Sequence, residues 1–209
     1  MEQREIRLIR HATGTHMANP NIVVGRADEA TLTSKGFLES AKKGLQLRAE
    51  GYSPDIIATS PSTRCRQTGT FALFAMRIDK PVEVSSDLIE MDQGDAVGML
   101  RTEAYGEATL EQIALRGFDF SFPRAESVNQ VGERAVRWAD GQKNRQDAPG
   151  SILAFSHGGL ISCTAALLEG WNYDQYLEKR LSIKPVSETR FVLEDDRWQL
   201  DYFARPLDN

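Results

Sequence analysis

The chain has 209 residues, a formal net charge of −5 and a sequence pI near 5.3. Its 41% hydrophobic and 26% charged content suits a soluble globular chain that can bury a substantial core. The lack of a long basic tract argues against nucleic acid or an anionic membrane as partner, and no apolar run approaches a membrane span. Cys65 and Cys163 stand far apart and suggest neither a disulfide framework nor a zinc finger. The charged start, Met1-Glu2-Gln3-Arg4-Glu5, lacks the apolar region of a signal peptide, so the expected location is the cytoplasm.

Ile6-Arg7-Leu8-Ile9 reads as a buried parallel strand that stops at Arg10-His11. Residues 12–31 hold Gly14, Pro20, Gly25 and several Asn and Thr residues, an irregular loop of a length usually tied to function. A helix follows, capped by Thr33 or Ser34 and stopped by Gly51, with Phe37, Leu38, Ala41, Leu45 and Ala49 at helical spacing. Asp55-Ile56-Ile57-Ala58-Thr59 is the next strand. Ser60-Pro61 opens a helix with proline near its first turn and Phe71, Leu73, Phe74 and Met76 as its buried face. Val82-Glu83-Val84 is a third strand, with Asp87-Leu88-Ile89-Glu90 at its exit.

Residues 92–126, interrupted by Gly94, Gly98, Gly106 and Gly117, read as one or two short helices in a cap; Phe118, Phe120 and Phe122 pack that cap or line a pocket. A helix runs from Ser127 to Trp138 with Val128, Val131, Ala135 and Val136 inward, then a polar linker from Gly141 to Gly150. Ser151-Ile152-Leu153-Ala154-Phe155 is a further strand, Gly158 to Leu168 a helix, and Arg190-Phe191-Val192-Leu193 with Trp198 to Tyr202 a terminal hairpin at the sheet edge. Trp138 and Trp171 read as core. The βαβαβ alternation predicts a mostly parallel sheet covered on both faces.

The sequence holds three histidines, His11, His16 and His157, and two of them end strand-like runs. Ligands of open α/β sheets bind beyond the carboxyl ends of the strands. Arg10-His11, the Ser60-to-Arg64 segment, Glu90 and His157-Gly158 all share that address. Two guanidiniums match phosphate oxygens, and backbone N–H groups at Gly158-Gly159 add positive dipole. Arg26 would extend the field. Nearby guanidiniums disfavour protonation of His11 and so keep its nucleophilic form, and Glu90 can supply the acid and then the base. His16 reads as a loop histidine, Cys65 as a passive small side chain, and Arg101, Arg116 and Arg124 as candidates to grip the far end of a substrate.

Leu8-Ile9-Arg10-His11, Gly25-Arg26-Ala27-Asp28, Leu32 to Gly36, Thr59 to Arg64, Glu90 and Phe155 to Gly159 stand in an order that resembles the histidine phosphatase superfamily, in its phosphoglycerate-mutase-like branch. The resemblance implies an α/β protein, a three-layer α/β/α sandwich with a mostly parallel central sheet, forming a single domain over 1–209 with 92–126 as a cap. It implies that His11 accepts the phosphoryl group, that Arg10, Arg64 and His157 clamp its oxygens, and that Glu90 donates the proton, with no metal and no other cofactor. Thr15 and Asn19 match the loop that contacts phosphate or substrate; Arg26 and Gly158 complete the expected binding set.

Ala12 and Thr13 stand where the family usually has Gly and an acidic or amide residue, and Met91, Asp92, Gln93 and Gly94 replace the Arg and Tyr with which mutases hold a second phosphate. Asp92 and Asp95 suit a second phosphate poorly. The expected activity is therefore that of a metal-independent histidine acid-type phosphatase acting on a small phosphorylated metabolite. A cofactor-dependent phosphoglycerate mutase and a non-catalytic phospholigand-binding protein are the rivals.

Overall fold

The computed structural model describes residues 4–147 and 149–208. Six strands form one sheet: β1 (Glu5–Arg10), β2 (Ile56–Thr59), β3 (Val82–Val84), β4 (Ser151–Ser156), β5 (Glu188–Glu194) and β6 (Arg197–Arg205), in the order β3-β2-β4-β1-β5-β6. The first four are parallel, and β5 and β6 form the antiparallel hairpin at one edge.

Alternation along the strands divides the core in two. Ile6, Leu8, Ile56, Ala58, Ile152 and Ala154 face α5 (Val128–Lys143) and α6 (Gly158–Glu169). Ile9, Ile57, Leu153 and Phe155 face α1 (Ser34–Ala49) and α2 (Thr63–Met76). The centre of the sheet is thus buried on both faces, which is why β2 and β4 read as apolar runs. Among the described residues no helix is long and apolar enough to cross a membrane.

Helix faces depart from expectation where helices approach closely. Leu38 and Leu45 of α1 are 68% and 53% exposed, and the buried positions are Gly36, Ser40, Lys43, Gly44 and Leu47. A Cβ on Gly44 would collide with the Ala72 carbonyl oxygen of α2. Small residues therefore make the α1–α2 contact, and the leucines turn outward. On α2, Leu73 and Met76 are buried as expected, but Phe74 is 83% exposed and Phe71 sits at the rim against Phe37. Pro61 lies before the N-cap Ser62, in the turn that leads into α2.

α5 begins in a Ser127–Gln130 capping box and continues through Gly141 to Lys143, into the segment expected to be linker. α7 (Tyr173–Ser182) was not foreseen; its capping box is Asn172–Gln175, and Tyr176 is its one buried residue among those described, so its apolar stripe is faint. Trp138 is core, whereas Trp171 is half-buried and packs edge-on against Phe203.

Segment 92–126 contains α3 (Arg101–Ala104), α4 (Glu107–Arg116) and short 3-10 turns. Backbone bonds from Val23 to Met99, from Gly98 to Val23 and from Arg101 to Asn21 stitch it to the 12–31 loop, around a small cluster of Val23, Ala96 and Ala104. Phe122 joins that cluster, while Phe118 packs on Tyr173 and Tyr176.

Gly44→Ala is expected to cost about 1–3 kcal/mol, because the new methyl meets backbone that cannot yield. Gly141→Ala, an exposed helical position with open space at its Cβ, is expected to add about 0.5–1 kcal/mol. Urea unfolding of both variants checks the pair; a neutral Gly44→Ala would refute the close-contact account.

Candidate active site

Strand register brings the two strand-end histidines together. Arg10 pairs with Ser156 across the parallel β1–β4 ladder, so His11 and His157 are the next residues on adjacent strands. The His11 N–H donates to the Ser156 carbonyl at 2.8 Å, and the imidazole centroids stand 5.4 Å apart.

His11 is 2% exposed. Its Nδ1 lies 2.8 Å from the Ala12 carbonyl oxygen, which can only accept, so Nδ1 carries the proton and Nε2 keeps its lone pair. Burial, followed by the neighbouring His157 and the guanidiniums of Arg64 and Arg10, holds His11 well below the ordinary imidazole range.

His157 is fully buried and does not line the cavity into which His11 opens. Arg64 Nη2 donates to its Nδ1 at 3.0 Å, which leaves Nε2 as the donor to Ser60 Oγ at 2.8 Å. Ser60 Oγ continues to Ser62 Oγ, and Ser62 donates to Asp28 Oδ1 at 2.6 Å. Both ring nitrogens thus have protein partners, and His157 packs against His11 and Arg64. Burial first and then Arg64 keep it neutral.

Arg64, in the first turn of α2, is 1% exposed. Its Nη atoms donate to the Ala27 and Arg26 carbonyls at 2.6 and 2.7 Å. Ala27 presents its carbonyl from a φ of 39°, a strained conformation for a non-glycine residue. Arg10 Nη1 donates to the Ile183 carbonyl at 2.6 Å. The Nε atoms of Arg10 and Arg64 and Nδ1 of His16 are buried without a hydrogen-bond partner. Arg10, His16 and Arg64, from three segments, line one cavity of about 290 Å³, an arrangement suited to an anion.

Glu90 closes another side. Its Oε1 accepts from Met91 N at 2.9 Å and Leu160 N at 3.2 Å, and its Oε2 accepts from Gly159 N at 3.2 Å. The amides at the α6 N-terminus, expected from sequence to be free for phosphate, are thus committed to Glu90. Gly159 has no room for a Cβ beside that carboxylate, and Gly158 leaves space for Arg10 Nε.

Of the residues singled out in the sequence, His11, Arg10, Arg64, Glu90, Gly158 and Asn19 line the cavity. Thr15 is exposed and does not. Arg26 does not either: its side chain is held by Asp92, Glu126 and the Glu90 carbonyl, and its contribution is the carbonyl that grips Arg64. Asp92 and Asp95 are also absent from the wall; the first bonds the Gly94 amide and pairs with Arg26, and the second pairs with Arg124. Of the cap arginines Arg101 lines the cavity, while Arg116 bonds Asp119 and Arg124 pairs with Asp95. Burial pushes the Cys65 thiol up, in keeping with a passive role.

Sequence reasoning left several wall residues out of the site. His16 stands 5.0 Å from His11, ring to ring, with its pKa pushed down to about 4 by burial and by Arg64 and Arg10. Gln93, Tyr105 and Arg180 also line the cavity. Only the count of three histidines could have flagged His16; nothing local marks the others. No group of three or more His, Cys, Asp or Glu residues gathers at metal-binding distance among the described residues.

The family model of the histidine phosphatase superfamily (branch 1) matches residues 6–205. A 2,3-bisphosphoglycerate-dependent phosphoglycerate mutase of Bartonella quintana is 30% identical over 186 residues, 86% of this chain and 88% of its own. Among solved structures, a mycobacterial glucosyl-3-phosphoglycerate phosphatase superposes with a TM-score of 0.77 at 19% identity, covering 98% of this chain and 100% of that one. A phosphoserine phosphatase of Entamoeba histolytica superposes with a TM-score of 0.81 at 18% identity over 96% of both chains. At those identities the two superpositions speak for the fold.

The buried, neutral histidines tie stability to pH. Unfolding lets His11 and His157 take up protons near the ordinary value of 6.5, while the folded chain holds them lower. The unfolded state then binds more protons below pH 6.5, so their contribution is complete above that pH and is lost as pH falls. Each adds a slope of up to about 1.4 kcal/mol per pH unit. Urea unfolding at pH 7.5 and 5.5 should show the loss, and His157→Gln should flatten it; equal stability at both pH values in the parent chain would contradict the assignment.

Proposed function

The chain belongs to the histidine phosphatase superfamily (branch 1), and we propose that it hydrolyses small phosphomonoesters through a phosphohistidine on His11, without a metal. The observation that carries this reading is the lone pair left on His11 Nε2 by the Nδ1–Ala12 bond, at a cavity that Arg10 and Arg64 also line. The nitrogen attacks phosphorus, the P–O ester bond breaks, and the leaving oxygen takes a proton from Glu90. Water then attacks the phosphohistidine, gives its proton to Glu90 and releases inorganic phosphate with His11 restored. Guanidiniums held by backbone carbonyls stabilise the equatorial oxygens without reorganising, the form in which electrostatic catalysis is strongest. His157 acts in this scheme through its neighbours, spacing Arg64 from His11. A cavity of about 290 Å³ suits a metabolite better than a folded phosphoprotein.

A mutase is the second reading, favoured by the name of the 30% identical relative. The acidic side chains that spoke against it in the sequence do not reach the cavity, so the two activities are separated by assay. Isomerisation of 3-phosphoglycerate, measured with and without added 2,3-bisphosphoglycerate, should stay below phosphate release; the reverse would establish the mutase.

Acid quench after mixing with 32P-labelled phosphomonoester should trap acid-labile label on the parent chain and none on His11→Ala. Label on both, or on neither while turnover continues in the parent chain, would overturn the phosphohistidine. Glu90→Gln should slow alkyl phosphates at least tenfold more than p-nitrophenyl phosphate, whose leaving group needs no proton. Gly159→Ala, whose methyl would displace the Glu90 carboxylate, should show the same leaving-group bias in weaker form. Equal losses on both substrate types would remove Glu90 from the acid role.

A further inference from the structure

Arg180 takes no part in the reaction described above, yet it lines the same cavity from the last turns of α7. It is half-buried. Its Nη1 donates to the Tyr176 hydroxyl at 3.0 Å, and no carboxylate pairs with it among the described residues. Inward arginines elsewhere are neutralised: Arg7 by Glu5 and Glu188, Arg134 by Glu126, and Arg205 by Glu188.

Charge across the cavity wall is equally lopsided. Arg10, Arg64, Arg101 and Arg180 face one carboxylate, Glu90, and none of the four has an ion-pair partner among the described residues. Arg101 reaches the wall from α3, its Nε anchored on the Pro20 carbonyl at 2.9 Å. A phosphate dianion seated against Arg10 and Arg64 offsets two of these charges. Whether Glu90 then holds its proton or not, positive charge is left over at Arg180 and Arg101. Arg101 is exposed, but leaving the half-buried Arg180 unpaired is costly, and a ligand anion is its natural partner.

We propose that Arg180, assisted by Arg101, forms a second anion subsite that takes a carboxylate of the substrate, so that the chain acts on phosphorylated carboxylic acids. A carboxylate lowers the surplus in either state of Glu90: it cancels the single charge left when Glu90 is ionised and one of the two left when Glu90 is protonated. Tyr105 and Gln93, bonded to each other at 3.4 Å on the same wall, add neutral polar groups next to the subsite. The inference rests on the phosphohydrolase reading and extends it to a substrate class.

The test compares 3-phosphoglycerate with glycerol 3-phosphate, which differ in a carboxylate against a hydroxymethyl group, with inorganic phosphate release as the readout. The parent chain should favour the acid by tenfold or more in kcat/KM. Arg180→Met should collapse that ratio to within about twofold, mainly through KM for the acid, and Arg180→Lys should keep part of it. A ratio is independent of how much variant folds. Hydrolysis of p-nitrophenyl phosphate with no preference for the acid, or a preference untouched by Arg180→Met, would overturn the subsite and leave the phosphohydrolase standing. No hydrolysis of any of the three esters would overturn both.

Discussion

The parallel ladder between β1 and β4 is the constraint on which the site depends. Its register sets Arg10 beside Ser156 and so makes His11 and His157 neighbours at the end of the sheet. Because side chains alternate strictly along a strand, a slip of one residue would send one imidazole to the opposite face. The apolar residues that pin the register, Ile6 and Leu8 on one face and Ile9 on the other, are thus also what aims the nucleophile.

Charge is introduced into this interior by backbone rather than by carboxylates. Arg64 is buried, but its Nη atoms are met by the carbonyls of Arg26 and Ala27, and Arg10 is met by the carbonyl of Ile183. Carbonyls satisfy the donors without cancelling the positive field, as a carboxylate would. That field serves two ends at once: it attracts an anion, and it adds to burial, the larger cause, in keeping His11 neutral and nucleophilic. Glu90, the carboxylate on the wall, is fastened to the α6 amides and to its own neighbour Met91, so it faces the cavity without pairing with either arginine.

The opposite side of β1 shows the other way to bury charge. Lys43 and Glu188 are both inaccessible and meet at 2.7 Å, with Arg7 and Arg205 adding further contacts to Glu188. There Glu5 and Glu50, the further partners of Arg7 and Arg205, complete the cancellation, and the pairs bind α1 to the hairpin edge. At the cavity they do not cancel, and the difference marks where a ligand belongs.

Local pattern by itself determined the strands, the three-layer plan, and the placing of Arg10, His11, Arg64 and Glu90 on one cavity. The reason is physical: a β-branched run between polar breaks is a property of adjacent residues, and parallel strands bring their carboxyl ends to one side whatever their order. Only the tertiary structure decided what depends on a partner distant in sequence. Gly44 against Ala72 turned Leu38 and Leu45 outward. The Arg64 and Ser60 bonds gave both ring nitrogens of His157 partners within the protein. Contacts with Asp92 and Glu126 drew Arg26 off the wall. The faintly amphipathic α7 delivered Arg180 to the cavity, and the loop brought in His16, because both positions are set by packing across the sheet ends, where no periodicity within a single segment reports who the neighbours are.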